Sequence, residues 1–417
     1  MYSDIRTDVL EIINGAIKSV LPENAVAKTL TELKFDCKNI ILIAIGKAAW
    51  RMAKAAKDFL DGKIKKGIVV TKYGHSLGPI DGVEIYEAGH PIPDENTLKA
   101  TERILKAVEN LTESDIVLFL ISGGGSALFE KPKGDIKLEQ IQKITDQLLK
   151  SGADIVEINT VRKHLSDVKG GRFAEKVYPA KVVSLILSDV LGDRLDSIAS
   201  GPTYPDRTTS DEAINILEKY SVQVEENVLR EIASETPKKL ENVEFHIIGS
   251  VRTVCEKAAE IASNLGYNTM ILTTTLDCEA KEAGRFIAAI AREEKNNKLP
   301  LKKPCAIVFG GETVVHVTGK GKGGRNQELA LSAVKGIAEL EEVVICSVGT
   351  DGTDGPTDVA GGIVDGESLK RLRKLGIDVD EMLKNNDSYN ALKSIDGLII
   401  TGPTGTNVND LILLLVR

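Results

Sequence analysis

The chain has 417 residues, 42% of them hydrophobic and 27% charged, with a formal net charge of −8 at pH 7. That composition excludes a disordered or collagen-like chain, and the length is ample for two or three domains. The acidic balance argues against nucleic acid as a principal partner but leaves room for small anions held in local clefts.

The N-terminal stretch "MYSDIRTDVLEIINGAIKSVL" alternates acidic and apolar residues at helical spacing. It lacks the basic start and apolar block of a secretory signal, and no apolar run is long enough to span a bilayer. A cytoplasmic protein with no membrane partner is therefore expected. Apolar runs of strand length follow at 39–45, 66–71, 115–121 and 181–188. A later set lies at 243–249, 268–274, 305–311, 313–319, 342–349 and 397–402. Continuous rather than alternating runs predict strands covered on both faces, as in parallel sheets. Helical stretches at 47–60, 95–111 and 325–340 lie between them, so the fold expected is α/β with doubly wound sheets. A polar, Pro-containing stretch at 230–245 places the domain boundary at 235–242, giving domains 1–238 and 239–417. The final apolar run could join either sheet. Cys37, Cys255, Cys278, Cys305 and Cys346 show no CxxC or Cys/His cluster and read as reduced, mostly buried residues.

In open α/β sheets, ligands bind beyond the carboxyl ends of the strands, and several unusual segments fall there. "AIGKAAW" places Gly46 and Lys47 at a strand-to-helix turn, where a lysine can meet an anion or simply be solvated. "SGGGSALF" offers Gly123, Gly124 and Gly125 for an anion-binding nest, flanked by the hydroxyls of Ser122 and Ser126. The bland alternative is a tight turn. Ser188, Asp189, Asp193 and Asp196 follow the strand at 181–188, and Asp189 is the foremost candidate for general base or metal ligand. Thr350, Asp351, Thr353, Asp354 and Asp358 form a second acidic strand-end loop, whose Asp-Gly pairs are also ordinary turn signals.

"VTGKGKGGRNQELAL" contains G-x-G-x-x-G at Gly319, Gly321 and Gly324, the pattern of a dinucleotide turn, but Lys320, Lys322 and Arg325 suit a phosphate in transfer. Gly323, Gly324, Asn326 and Thr350 join Ser122–Ser126 as candidate substrate or phosphate contacts, and Glu312 and Asp351 join Asp189 as metal candidates. Thr404, Thr406, Asn407 and Asn409 lie in another strand-end turn. His90 and His164 have no triad or metal spacing and read as structural, while Arg162, Lys163 and Lys169 form a basic segment that binds an acid or is solvated. Anion cradles, cations and acidic loops, without a Walker loop or a protein-kinase motif set, suit phosphoryl transfer to a small acid.

The segments "ILIAIGKAAWRMAKA", "LISGGGSALFEKP", "INTVRKHLSDVKGGRFAE", "LILSDVLGDRLDSIASGPTYPD", "GGETVVHVTGKGKGGRNQELAL", "GTDGTDGPTDVAGGIVDG" and "TGPTGTNVNDLILLL" closely resemble the glycerate kinases that carry a MOFRL domain. The resemblance spans nearly the whole chain. It implies a Rossmann-like N-terminal domain, a smaller C-terminal α/β domain and a site in a cleft between them. It also implies ATP-dependent phosphorylation of D-glycerate with Mg²⁺, 2-phosphoglycerate being favoured over 3-phosphoglycerate as product. Lys47 and Arg325 match basic residues thought to act in catalysis in that family. On this reading the SGGGS loop and Lys47 hold the glycerate carboxylate, the favoured choice, or the transferred phosphoryl group. A monomer or small homo-oligomer is expected. Two rivals remain: an NAD(P)-dependent hydroxypyruvate reductase, prompted by the Gly319–Gly324 pattern, and a non-catalytic carboxylate or nucleotide sensor on the same scaffold.

Overall fold

A computed structural model describes residues 4–33, 35 and 39–417; Cys37 and the first three residues lie outside them. The chain divides into two units, Pro22–Ile248 and Met1–Leu21 with Gly249–Arg417.

The first unit carries β1 (Ile40–Ile45), β2 (Ile64–Lys72), β3 (Val83–Ala88), β4 (Ile116–Ile121), β5 (Lys181–Leu187) and β6 (Val243–Gly249). They form one sheet in the order β3-β2-β1-β4-β5-β6, in which β3, β2, β1, β4 and β5 run parallel to one another. This is the Rossmann strand order, and the switch of direction falls between β1 and β4. β1 is buried throughout, which explains its unbroken apolar run. Phe119, Phe129 and Phe173 pack with ring centroids 5.0–5.7 Å apart. Each contributes roughly 1.5–3 kcal/mol by burial, and Phe119 and Phe129 anchor the glycine loop from both sides. A second apolar cluster joins the helices Leu138–Lys150, Ile155–Leu165, Ser210–Lys219 and Glu226–Ile232.

The second unit carries β7 (Asn268–Leu276), β8 (Cys305–Gly311), β9 (Val343–Gly349), β10 (Gly361–Asp365), β11 (Leu398–Ile399) and β12 (Asp410–Val416). Their order is β11-β10-β9-β12-β8-β7. β7 and β8 are parallel, whereas β12 runs antiparallel to both β8 and β9. The sheet is thus mixed, not parallel as the apolar runs predict, because helices cover both faces whatever the strand direction.

Further details depart from the sequence reading. Residues 313–319 form no strand: Val314 makes one isolated bridge to Glu279, and Val314 and Val317 are exposed. The run at 397–402 shortens to the two residues of β11, and β3 and β10 were not anticipated. β6 joins the first sheet, so the division falls at 248/249, beyond the 235–242 stretch. The N-terminal helix Ile5–Ser19 belongs with the second unit, where Gly15 lets Ile261 of the helix Val251–Asn264 approach. Arg417 and Tyr267 also bind Asp8 of that N-terminal helix. Cys255, Cys305 and Cys346 are buried and Cys278 is exposed.

Candidate active site

At the carboxyl ends of β1 and β4 the two loops interlock. Gly46 has φ +113°, and a Cβ there would stand 2.3 Å from Ser122 Oγ and 2.4 Å from its carbonyl oxygen. Only glycine permits that approach. The amide of Lys47 donates to Gly123 O at 2.9 Å, and that of Ala48 to Ser122 Oγ at 3.1 Å. Ser122 is 2% exposed and its hydroxyl also donates to Ile45 O, so its side chain joins the loops and faces no ligand.

Gly124, at φ +85°, lies under Lys47 and His90: a Cβ would meet His90 Cδ2 at 2.9 Å and Lys47 Cγ at 3.4 Å. At Gly123 a Cβ would stand 2.1 Å from Asp189 Oδ2. The structure therefore brings Lys47, Gly123, Gly124 and Asp189 together and adds His90, which sequence spacing gave no reason to include. Burial, then the charge of Lys47, pushes His90 down to about 4, so its imidazole is neutral at pH 7.

Gly125 packs against Ala199, and Ser126 Oγ lies 3.1 Å from Ser200 Oγ. Behind the loop, Arg162 donates to Ser126 O at 2.9 Å, and Lys169 donates to Phe129 O at 2.6 Å while pairing with Glu130 at 3.1 Å. Lys169 and Glu130 are fully buried, and burial pushes Lys169 down to about 8. Lys163 is 3% exposed and pairs with Asp206. Arg162 and Lys169 are thus committed to the protein, and Lys163 is buried against Asp206 rather than solvated. His164 is buried and Nδ1 lies 2.9 Å from Thr160 O, a structural place.

In the second unit the mixed topology creates the other constellation. β12 begins at Asp410, in register with Gly311 of β8 and Gly349 of β9, so Glu312, Thr350 and Asp351 gather beside it. Arg325 opens the helix Arg325–Ala333 and donates to Asp410 through Nε at 2.6 Å and a terminal nitrogen at 3.0 Å. Its other terminal nitrogen donates to Glu312 at 2.9 Å. Burial pushes Asp410 up to about 6, partly opposed by Arg325. Asp410 and Asp354, central to this cluster, were missed or undervalued in the sequence; the only signal for Asp410 is an acid directly before an apolar run.

Asn326 and Thr350, expected as ligand contacts, are buried and spent on the protein. Asn326 donates to Asp354 and Asp410 and accepts from Ser347. Thr350 donates to Asn409 O and accepts from the amide of Val408. Asp354 caps the helix by accepting the amides of Asn326 and Gln327, and it occupies the space a Cβ on Gly324 would need.

The turn at Gly319–Gly324 is likewise committed. Amides of Thr318 and Gly319 donate to Asn386 Oδ1, Lys320 to Asn385 Oδ1, Gly321 to Asn385 O and Lys322 to Asp387 Oδ1. With no strand before it and these amides clamped, the turn lacks the open cradle of a dinucleotide fingerprint. Gly323 and Gly324 carry the chain from it to Arg325. Among the described residues, no three His, Cys, Asp or Glu side chains gather to hold a metal ion, and Asp351 Oδ1 accepts from Thr353 N at 2.9 Å.

Residues 8–233 match the family described as a domain of unknown function, DUF4147, and residues 305–410 match the MOFRL family. D-glycerate 2-kinase of Thermotoga maritima is 63% identical to this chain, over 98% of it and 97% of the relative. The chain belongs to the MOFRL-domain glycerate kinase family. It is an enzyme of the phosphotransferase class, with an alcohol group as acceptor. Glycerate 2-kinase of Pyrococcus horikoshii is 48% identical, over 99% of this chain and 98% of the relative. A protein of Agrobacterium vitis named a putative hydroxypyruvate reductase is 41% identical, over 97% and 93%. The crystal structure of glycerate kinase from Thermotoga maritima superposes with a TM-score of 0.96 at 62% identity, covering 99% of both chains. The DUF4147 match contains Lys47, the SGGGS loop and Asp189; the MOFRL match contains Glu312, Arg325 and Asp410.

Proposed function

We propose that the chain transfers the γ-phosphoryl group of ATP to a hydroxyl of D-glycerate, with 2-phosphoglycerate favoured over 3-phosphoglycerate. The observation that carries this reading is the junction of Lys47 with the glycine loop, beside Asp189, at the switch point of a Rossmann-ordered sheet. The names of the kinases from Thermotoga and Pyrococcus support the substrate.

In this reading the substrate oxygen attacks the γ-phosphorus, its proton passes to the Asp189 carboxylate, and ADP departs. Lys47 and the loop amides hold the carboxylate or the transferred phosphoryl group. Arg325, oriented by Asp410 and Glu312, neutralises charge on the γ-phosphate as it moves.

Mg²⁺ commonly takes one or two carboxylates with phosphate oxygens and waters. The carboxylates of Asp189, Glu312 and Asp351, which belong to no three-ligand cluster among the described residues, would suit that role better than a cage of protein ligands. When bound with ATP, the ion supplies charge neutralisation. A cytoplasmic location and a monomer or small homo-oligomer complete the proposal; no helix among the described residues is long and apolar enough to cross a membrane. The clamped Gly319–Gly324 turn gives the reductase reading no support.

Incubation with Mg-ATP and D-glycerate, followed by NMR of the products, tests the proposal. 2-Phosphoglycerate is expected. Nicotinamide-dependent reduction of hydroxypyruvate without any phosphoglycerate would overturn it.

A further inference from the structure

Within the first unit a cavity of about 320 Å³ opens between the helix Ile155–Leu165 and the loop that follows β5. Asn159, Lys163, Arg194, Asp196, Asp206 and Arg207 line it. Asn159 and Lys163, four residues apart on one helical face, are 6% and 3% exposed, and Asp206 is 1% exposed. Buried polar groups of this kind are ordinarily fully satisfied.

The charges are not balanced. Lys163 stands 3.2 Å from Asp206 and 3.8 Å from Asp196, and Arg194 shares Asp196 at 3.0 Å. Asp206 is further occupied by Thr208 and Thr236. Arg207 makes no ion pair among the described residues, so three cations face two carboxylates around one cavity. One monoanion would restore the balance.

The cavity is tied to the glycine loop. Asn159 Oδ1 accepts from Ser200 Oγ at 3.1 Å, and Ser200 Oγ lies 3.1 Å from Ser126 Oγ. Asn159 thus spends its acceptor on the loop side and keeps its amide donors for the cavity. Ala199 and Ser200 have φ of +50° and +59°, a left-handed backbone unusual outside glycine. Such strain persists only where surrounding structure holds it, and functional sites are where it concentrates. Here it aims one serine hydroxyl at both the loop and the cavity wall.

We propose that this cavity holds the hydroxy-acid substrate, its carboxylate on Lys163 and Arg207 and a hydroxyl on the Asn159 amide. The proposal rests on the kinase reading for the identity of the acid and deepens it. With the carboxylate placed here, the SGGGS amides and Lys47 are left for the phosphoryl group, reversing the preference that the loop's composition alone gave. The far end of the acid follows the Asn159–Ser200–Ser126 line toward the loop.

The full chain, as wild type, Arg207→Ala and Asn159→Ala, is titrated calorimetrically with D-glycerate in the absence of nucleotide. Weakening of about tenfold or more in both variants is expected, the cost of a lost charge-assisted or buried hydrogen bond. Wild-type affinity in both overturns the proposal. Circular dichroism guards against misfolding of Asn159→Ala, and the exposed Arg207 provides a variant that leaves the core untouched. The kinase reading is judged separately. If Mg-ATP and D-glycerate yield no phosphoglycerate, yet D-glycerate, lactate or tartronate binds and is weakened in both variants, the cavity stands and the activity falls. If none of these acids binds the wild-type chain, the cavity assignment falls.

Discussion

Arg325 sits in the fork of the Asp410 carboxylate, with donor-acceptor distances of 2.6 and 3.0 Å to its two oxygens. The guanidinium is one-third exposed, whereas Asp410 is 1% exposed, so the buried acid holds the reaching cation in place. Two parallel hydrogen bonds fix orientation as well as charge.

A pH dependence follows from this pair. Asp410 titrates at about 6, above the usual 3.8, because burial disfavours its charge. A raised pKa means that this group's contribution to folding stability is full below about 3.8 and is lost as pH rises through about 6. The ion pair that orients Arg325 forms over the same interval. Between pH 5 and pH 7, kcat should therefore rise while this contribution to stability falls. Asp410→Asn should remove the acid limb and lower kcat at neutral pH by up to about 10²-fold, the scale for a misplaced catalytic group. Turnover and Tm across that range check it; an unchanged acid limb would assign the titration to another group.

The glycine loop offers a contrast between two substitutions. Gly123→Ala drives a Cβ into the Asp189 side chain and displaces its carboxylate, so kcat should fall about 10²-fold. Gly46→Ala meets the Ser122 backbone at φ +113° and should destabilise the fold by more than about 1 kcal/mol. Full activity in Gly123→Ala would remove Asp189 as the base.

His90 makes the opposite pH prediction. Its pKa is depressed to about 4 by burial and by Lys47, so the stability it contributes is present above about 6.5 and lost as pH falls through 4. The urea midpoint of the wild type should decline over that window. In His90→Gln the decline should be shallower, and an identical profile would show that His90 is not responsible.

Asn386 tests the clamped turn. Its Oδ1 accepts the amides of Thr318 and Gly319 at 2.8 and 2.9 Å, and its Nδ2 donates to Glu328 at 3.2 Å. Asn386→Ala should cost roughly 1–2 kcal/mol, about one or two net hydrogen bonds, and should speed amide exchange at residues 318–322. Unaltered exchange there would mean the turn is held by other contacts.

Much of this was legible in the chain. The apolar runs located β1, β4, β5, β8 and β9, since strands covered on both faces must be apolar throughout. Glycines at the ends of β1 and β4 announced a close approach, and Gly46 and Gly123 require one. Other residues looked similar but proved different in place. Lys163 and Lys169 read as part of a basic segment that binds an acid or is solvated; both are buried, against Asp206 and Glu130, which lie 43 and 39 positions away in sequence. The Gly319–Gly324 turn carried the pattern of a dinucleotide turn with cations suited to phosphate, and its amides are bound by Asn385, Asn386 and Asp387.

The amino-acid sequence by itself determined the α/β class, the strand-end glycine loops and the family, because burial pattern and turn chemistry are written in neighbouring residues. Tertiary structure alone decided that β12 enters between β8 and β9 and delivers Asp410 to Arg325. It likewise decided that Ile5–Ser19 joins the second unit, and that Asn159 meets Ser126 through a strained serine. Strand direction, the partner of a buried charge and the occupant of a glycine turn depend on which distant backbone edges meet, and a local pattern carries no record of that.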